Sequence, residues 1–115
     1  MNDAFAALDM LYNPAPFYTA DNVPDTIAYI EDHPAPAHNE YMLAALRWVL
    51  SVLQAGAICV TYADERMIAA AAAAAETEHD KNVIARDFIA VMRWRYVMTA
   101  CHDYRNYLLK ARRTA

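Results

Sequence analysis

Hydrophobic positions in the middle of the chain follow a helical period. From residue 40 to residue 65 the polar side chains recur at intervals of 7, 4, 3, 7 and 4: Glu40, Arg47, Ser51, Gln54, Thr61 and Glu65. Such intervals place them in one narrow stripe on an α-helix. We therefore predict one long helix from Asn39 to about Glu76 or Glu78. Its other faces are apolar, which is typical of a helix buried on most sides.

A second stripe predicts the last helix, from about Val83 to Lys110. Its apolar side chains step by three or four residues and are expected to face the core: Ile84, Phe88, Val91, Trp94, Met98, Cys101, Tyr104 and Leu108. Seven consecutive alanines at 69–75 precede it and favour helix strongly. The polar segment 76–82 lies between the two patterns, and we interpret it as the turn.

All five prolines fall in the first 36 residues, where they divide the chain into short elements. The pattern predicts one short helix over residues 2–12 and another from Asn22 to about Asp32, with Pro24 in the tolerated first turn. His33 and Pro34 end the second helix. We treat residues 1–38 as an arm that packs on a helical hairpin formed by residues 39–115, within a single domain.

The predicted fold class is all-α, a long antiparallel helical hairpin with two short N-terminal helices. Two long helices cannot cover a helix that is apolar on most faces, so we expect a second copy to complete a helical bundle as a homodimer. Ala55, Gly56 and Ala57 are the predicted helix-packing or dimer contact. Glycine costs about 1 kcal/mol in a helix interior, which indicates close helix approach or, as the less favoured alternative, a kink.

Composition supports this class and excludes several others. Hydrophobic residues make up 58% of 115 residues, which argues against disorder. One glycine is too few for the turns of a β-sandwich. Arg47 lies within the apolar run 41–60, so we expect a buried helix there and no membrane span. Two cysteines, Cys59 and Cys101, favour a reducing compartment, and we expect a cytoplasmic protein.

Charge is distributed unevenly along the chain. Residues 1–79 carry eleven acidic residues against two arginines, whereas residues 80–115 carry eight basic residues against three acidic ones. We expect an exposed acidic surface that binds a basic surface on a protein partner. Its residues are Asp21, Asp25, Glu31, Asp32 and Glu40. The second choice for a partner-binding surface is the basic set Arg86, Arg93, Arg95 and Arg105.

Direct nucleic-acid binding is not expected. Cations alternate with aromatic residues around Trp94 and Tyr104, but both aromatic side chains lie on the predicted core stripe and cannot stack on bases. The sequence pI of about 5.4 also differs from the basic character of most nucleic-acid-binding domains.

No motif predicts catalysis, a metal site or a cofactor. Glu76 and His79 form one Glu-x-x-His pair, whereas helical di-iron bundles use two such pairs and two further carboxylates. Cys101, His102 and Asp103 are consecutive, so on a helix they point in different directions. We interpret Cys101 as a core residue, with His102 and Asp103 solvated. Arg47 is expected to pair with an acidic residue of the arm, such as Glu31 or Asp32.

The favoured function is therefore non-catalytic binding of another protein, as a regulator or inhibitor. Small acidic proteins of this kind include phage-encoded antagonists of bacterial machinery such as anti-CRISPR proteins, an analogy of size and charge alone. Two alternatives stay open: a structural component of a phage or secretion assembly, and a metal- or ligand-binding helical bundle.

Overall fold

The computed structural model describes residues 18–35, 37–54 and 64–114, with side chains to residue 110, and this part of the chain is all-α. It contains four helices and no strand: α1 (Asn22–Asp32), α2 (Asn39–Leu53), α3 (Glu65–Ala85) and α4 (Phe88–Thr114). The all-α class is confirmed. The predicted helix over residues 2–12 and the Ala55-Gly56-Ala57 contact lie outside the described residues.

Helix α1 has the predicted bounds. Asn22 Oδ1 accepts a hydrogen bond from the Thr19 amide, and the Thr19 hydroxyl accepts one from the Asn22 amide. These local hydrogen bonds fix the start of the helix. Val23, Thr26 and Ile30 are buried at intervals of three and four. This face packs on α2 and α4, while the opposite face is exposed.

Helix α2 is shorter than predicted. It begins at Asn39, as expected, and ends at Leu53, with the Gln54 amide donating to the Leu50 carbonyl. A single helix from Asn39 to Glu76 or Glu78 is therefore wrong, because Asp64 starts a new helix by accepting the Arg66 amide at 2.8 Å. One copy of the chain buries six side chains of α2: Met42, Ala45, Leu46, Trp48, Val49 and Val52.

The predicted turn at 76–82 is also wrong, because α3 continues through it to Ala85. The alanines supply strong helix propensity, and the following Glu, His and Lys residues are compatible with a solvated helix surface. Ile68, Ala71 and Ala75 are buried against neighbouring helices. The small side chains of Ala71 and Ala75 allow the α3 backbone to approach α4, its main neighbour.

Helix α4 contributes the predicted core stripe over part of its length. Val91, Trp94, Cys101 and Tyr104 are buried. The Trp48 ring of α2 stacks on Tyr104, with ring centroids 5.2 Å apart. The prediction that Ile84 and Phe88 face the core is wrong, because both are exposed.

The chain reverses direction between α3 and α4. End to end, the two helices would extend about 70 Å at 1.5 Å per residue. The longest dimension of the molecule is 42 Å, and the two helices pack against each other. Among the described residues, no helix is both long enough and apolar enough to cross a membrane.

Candidate interaction surfaces

The connection between α3 and α4 consists of two residues, Arg86 and Asp87. The backbone of Arg86 has the left-handed helical conformation, with φ 60° and ψ 31°. Its amide donates to the Val83 carbonyl at 3.2 Å, and the Asp87 amide donates to the Asn82 carbonyl at 3.0 Å. These two bonds form a Schellman motif, which satisfies the last carbonyls of α3.

Asp87 also starts the next helix. Its Oδ1 accepts a hydrogen bond from the Ala90 amide at 3.1 Å, which is N-cap geometry for α4. Its carbonyl accepts the Val91 amide at 3.0 Å. The end of α3 and the start of α4 therefore share one residue, and apolar residues stand on both sides of it.

Large apolar side chains around this turn are exposed to solvent. We call them the turn surface: Val83 (49% exposed), Ile84 (84%), Phe88 (72%), Ile89 (73%) and Met92 (38%). Together they leave roughly 500–600 Å² of apolar area in water, the size of the largest apolar patches on typical monomers. Patches of this size are often contact sites, so the turn surface is a candidate interface.

A shallow groove of about 390 Å³ runs along the α4 part of the turn surface. It is lined by Phe88, Ile89, Met92, Arg93 and Tyr96. Arg93 borders it and reaches α1, with Nη1 at 3.5 Å from the Asn22 carbonyl oxygen and 3.4 Å from the Thr26 hydroxyl. This arginine is therefore partly engaged in holding α1 against α4.

Aromatic contacts also join α1 to the beginning of α4. The Tyr29 ring meets Trp94 edge-on with centroids 6.0 Å apart, and it stacks on His33 at 4.4 Å. Burial raises the pKa of the Tyr29 phenol above 10.0, a hydrogen bond with Trp94 lowers it, and the nearby carboxylates of Asp87 and Glu78 raise it. The phenol therefore stays protonated at neutral pH.

The predicted acidic residues are all exposed. Asp21, Asp25 and Asp32 are spaced by four and seven residues, so they share the outward face of α1. Glu31 lies beside them, and Glu40 lies separately in the first turn of α2. We call the α1 set, Asp21, Asp25, Glu31 and Asp32, the acidic surface.

The negative charge of the acidic surface is only partly balanced by nearby positive charge, as two observations show. Among the described residues, one cation approaches it at ion-pair distance: Arg93 Nη2 lies 4.0 Å from Asp25 Oδ2. Glu31 and Asp32 occupy the last turn of α1, where no basic residue is present. The helix dipole places partial negative charge at that end, so carboxylates there are unfavourable.

The four arginines of the predicted basic set have different surroundings. Arg86 lies in the turn, Arg93 contacts α1, and Arg95 is exposed on α4. Arg105 is half-buried, and its Nε has no hydrogen-bond partner within the described part of the chain. The predicted pairing of Arg47 with Glu31 or Asp32 is not found among the described residues, and Arg47 is exposed on α2.

The candidate chemical groups have different environments. Cys101 is buried as predicted, and burial raises the pKa of its thiol from 9.0 to about 12. His102 is exposed, but Asp103 is buried and accepts a hydrogen bond from the Tyr18 hydroxyl, so its predicted solvation is wrong. Glu76 and His79 lie within α3. In the described ranges, no three His, Cys, Asp or Glu side chains are grouped closely enough to hold a metal.

Sequence reasoning missed the turn surface because it placed the turn too early. The available signal was the pair of apolar doublets, Val83-Ile84 and Phe88-Ile89, on either side of Asp87, a good N-cap residue. In comparisons with known proteins, no family model, curated protein or solved structure matches this chain.

Proposed function

We propose that this protein acts without catalysis, by docking its acidic surface onto a basic surface of another protein as a regulator or inhibitor. The observation that carries the proposal is the placement of Glu31 and Asp32. Carboxylates at the negative end of a helix cost stability, and no cation in that turn offsets them. A basic partner would supply the missing positive charge.

The acidic stripe is suited to a rigid, extended contact. Asp21 and Asp32 are eleven residues apart on one helix, a separation of about 16 Å along its axis at 1.5 Å per residue. Helix α1 is held in place by buried Val23 and Ile30 and by the contacts of Arg93. Its carboxylates are therefore presented without a large ordering cost, which favours fast, electrostatically steered association.

We also propose that the protein is a homodimer. One copy of the chain already buries the apolar face of α2, so a second copy is not needed to cover that helix. Support now comes from the turn surface, which is the large apolar area that the described chain leaves in water. Two copies would present two acidic surfaces to a partner, and such bivalent contact strengthens binding.

The partner contact is tested by charge reversal with a matched control. The variant Asp21→Lys/Asp32→Lys changes the acidic surface, and Glu76→Lys/Asp80→Lys makes the same net charge change on α3. The wild-type chain serves as bait in lysate of the source organism, and the retained protein is then assayed by surface plasmon resonance. We expect the first variant to slow association at least about tenfold and the control to stay near wild type.

The fold should survive the reversal, because exposed ion pairs contribute only about 0–1 kcal/mol each. Lysine at position 32 should even favour α1, since a cation suits the C-terminal end of a helix. Circular dichroism and thermal melting check this. Equal association rates for the two variants would refute the proposal that the acidic surface is the contact.

A further inference from the structure

One face of α4 continues from the groove to the place where the arm is anchored. Its residues are spaced by 3, 4, 3 and 4, so they lie in one row along the helix. We call this row the outer face of α4: Ile89, Met92, Tyr96, Thr99 and Asp103. At its far end, Asp103 is buried and accepts a hydrogen bond from the Tyr18 hydroxyl. At its near end, Ile89 and Met92 are exposed and line the groove. The described chain therefore begins on the same helix face that carries the groove.

We propose that residues 1–17 of this chain, the N-terminal segment, occupy the groove. The predicted helix over residues 2–12 would be about 16 Å long, and the groove extends about 12 Å along α4. Residues 13–17 join that helix to Tyr18 and span at most about 16–18 Å. Asp103 lies about 10 Å beyond the groove along α4. The segment is therefore long enough to reach the groove from its anchor.

The sequence of the N-terminal segment suits an apolar groove. Phe5, Leu8 and Tyr12 recur at intervals of three and four, so they form one apolar side of the predicted helix. The groove presents exposed Phe88 and Met92 to it. Docking removes large apolar side chains of both surfaces from water, which is the main favourable term in such a contact.

The charges of the N-terminal segment complement those beside the groove. The segment contains Asp3 and Asp9 but no Lys, Arg or His. Arg95 is exposed next to the outer face, and among the described residues no carboxylate lies within ion-pair distance of it. Because the segment is anchored at Tyr18, its helix runs in the same direction as α4. Two parallel helices facing each other then have Asp9 and Arg95 on the same side, where they can pair.

Residues 55–63 are too distant to fill the groove instead. Helix α2 follows α1, whose Tyr29 contacts Trp94 near the start of α4. Further along α2, Trp48 stacks on Tyr104, about 24 Å from the start of α4. Helix α2 therefore ends far from the turn, and α3 begins about 30 Å from it. Nine residues span at most about 30 Å, which is too short to run to the groove and back.

Docking of the segment has a consequence for the charge of the molecule. It places two carboxylates beside the arginines at the start of α4, so the exposed charge that remains is mainly that of the acidic surface. The inference does not depend on the proposed partner contact. It also leaves Val83 and Ile84, which lie outside the groove, to the proposed homodimer.

Disulfide trapping in the full chain tests the occupant. All variants carry Cys59→Ser, and the native Cys101 is buried. The pair Leu8→Cys/Met92→Cys is compared with Leu8→Cys/Ile84→Cys, because Ile84 is exposed outside the groove. A disulfide needs Cα atoms within about 7 Å. Under mild oxidation we expect the first pair to link within one chain at least about tenfold faster than the second.

Hydroxyl-radical footprinting gives a second readout that leaves α4 unaltered. Phe5→Asp should detach the segment and raise the oxidation rate of Met92 at least about threefold. Ala6→Asp is the matched control, because Ala6 lies on the opposite side of the predicted helix and should leave that rate near wild type. Met67, half-buried on α3, is the internal reference in every sample.

Charge reversal tests the predicted direction of the segment. In the Leu8→Cys/Met92→Cys chain, Asp9→Arg faces Arg95 and should slow trapping about fivefold. Adding Arg95→Asp should restore most of the rate, because it recreates an opposite pair. Asp3→Arg makes the same charge change away from Arg95 and should have little effect.

Three results overturn the inference. A disulfide that joins two chains as the main product places the segment of a second copy in the groove. Equal trapping rates for the two cysteine pairs, or Met92 oxidation that Phe5→Asp leaves unchanged, place the segment elsewhere. Failure of Arg95→Asp to rescue Asp9→Arg refutes the parallel arrangement. The acidic-surface proposal stands or falls on its own test in each case.

Discussion

Replacing Arg86 by glycine should stabilise the protein, because glycine suits a left-handed position after the end of a helix, although it is a poor residue inside one. Arg86 has φ 60° at the end of α3, a conformation that costs a residue with a Cβ about 1–2 kcal/mol. Glycine removes that cost but adds about 0.5–1 kcal/mol of unfolded-state entropy. The difference leaves a net gain of about 0.5–1 kcal/mol.

The gain is measured by urea unfolding and by thermal melting, where it corresponds to a rise of about 2–6 °C for a chain of this size. Arg47→Gly is the matched control, because Arg47 is exposed within α2, where glycine should cost about 1 kcal/mol. Arg86→Ala shows whether the gain comes from the backbone or from loss of the arginine side chain. It keeps the Cβ and therefore the backbone strain, so it should change stability little. Destabilisation by Arg86→Gly, or an equal gain from Arg86→Ala, would refute the strained-turn argument.

Two further predictions concern the core. Alkylation followed by peptide mapping should leave Cys101 unmodified at pH 8 in the native protein and modify it in urea, because burial raises the pKa of its thiol from 9.0 to about 12. This thiol binds its proton more tightly in the folded state than in the unfolded state. Its contribution to the free energy of unfolding is therefore complete below about pH 9 and is lost as the pH rises towards 12. A free energy of unfolding that stays constant across that range would contradict this prediction. Ala75→Leu should lower the free energy of unfolding by about 1–3 kcal/mol, because it overpacks the buried face of α3. Ala73→Leu lies on the exposed face and should be nearly neutral. Equal melting temperatures for the two variants would contradict this packing.

Helix α1 could be predicted from sequence because its limits are set by local chemistry. Pro24 in the first turn and the His33-Pro34 stop act within a few residues, and the buried positions Val23 and Ile30 keep helical spacing. The exposure of Asp21 and Asp32 also followed from the sequence, because charged side chains stay on the surface unless they are paired. Local signals were sufficient there.

The turn between α3 and α4 could not be placed in the same way. Helix ends are usually marked by glycine or asparagine at the left-handed position, and this chain has Arg86 there. The polar composition of segment 76–82 is typical of a turn, but its residues are also compatible with a helix, and the helix continues through them. The real turn lies several residues after the predicted one, so Ile84 and Phe88 are on the surface and not in the expected core. The turn surface could therefore be recognised only from the structure.

Carboxylate footprinting of the complex tests the central claim most directly. Carbodiimide-driven coupling of glycine ethyl ester, read by mass spectrometry, labels exposed Asp and Glu side chains in the free protein and in the complex isolated with the wild-type bait. We predict that Asp21, Asp25 and Asp32 are labelled in the free chain and protected in the complex, while the exposed Asp80 of α3 is labelled in both. Unchanged labelling of the three aspartates in the complex would contradict the claim that the acidic surface binds the partner.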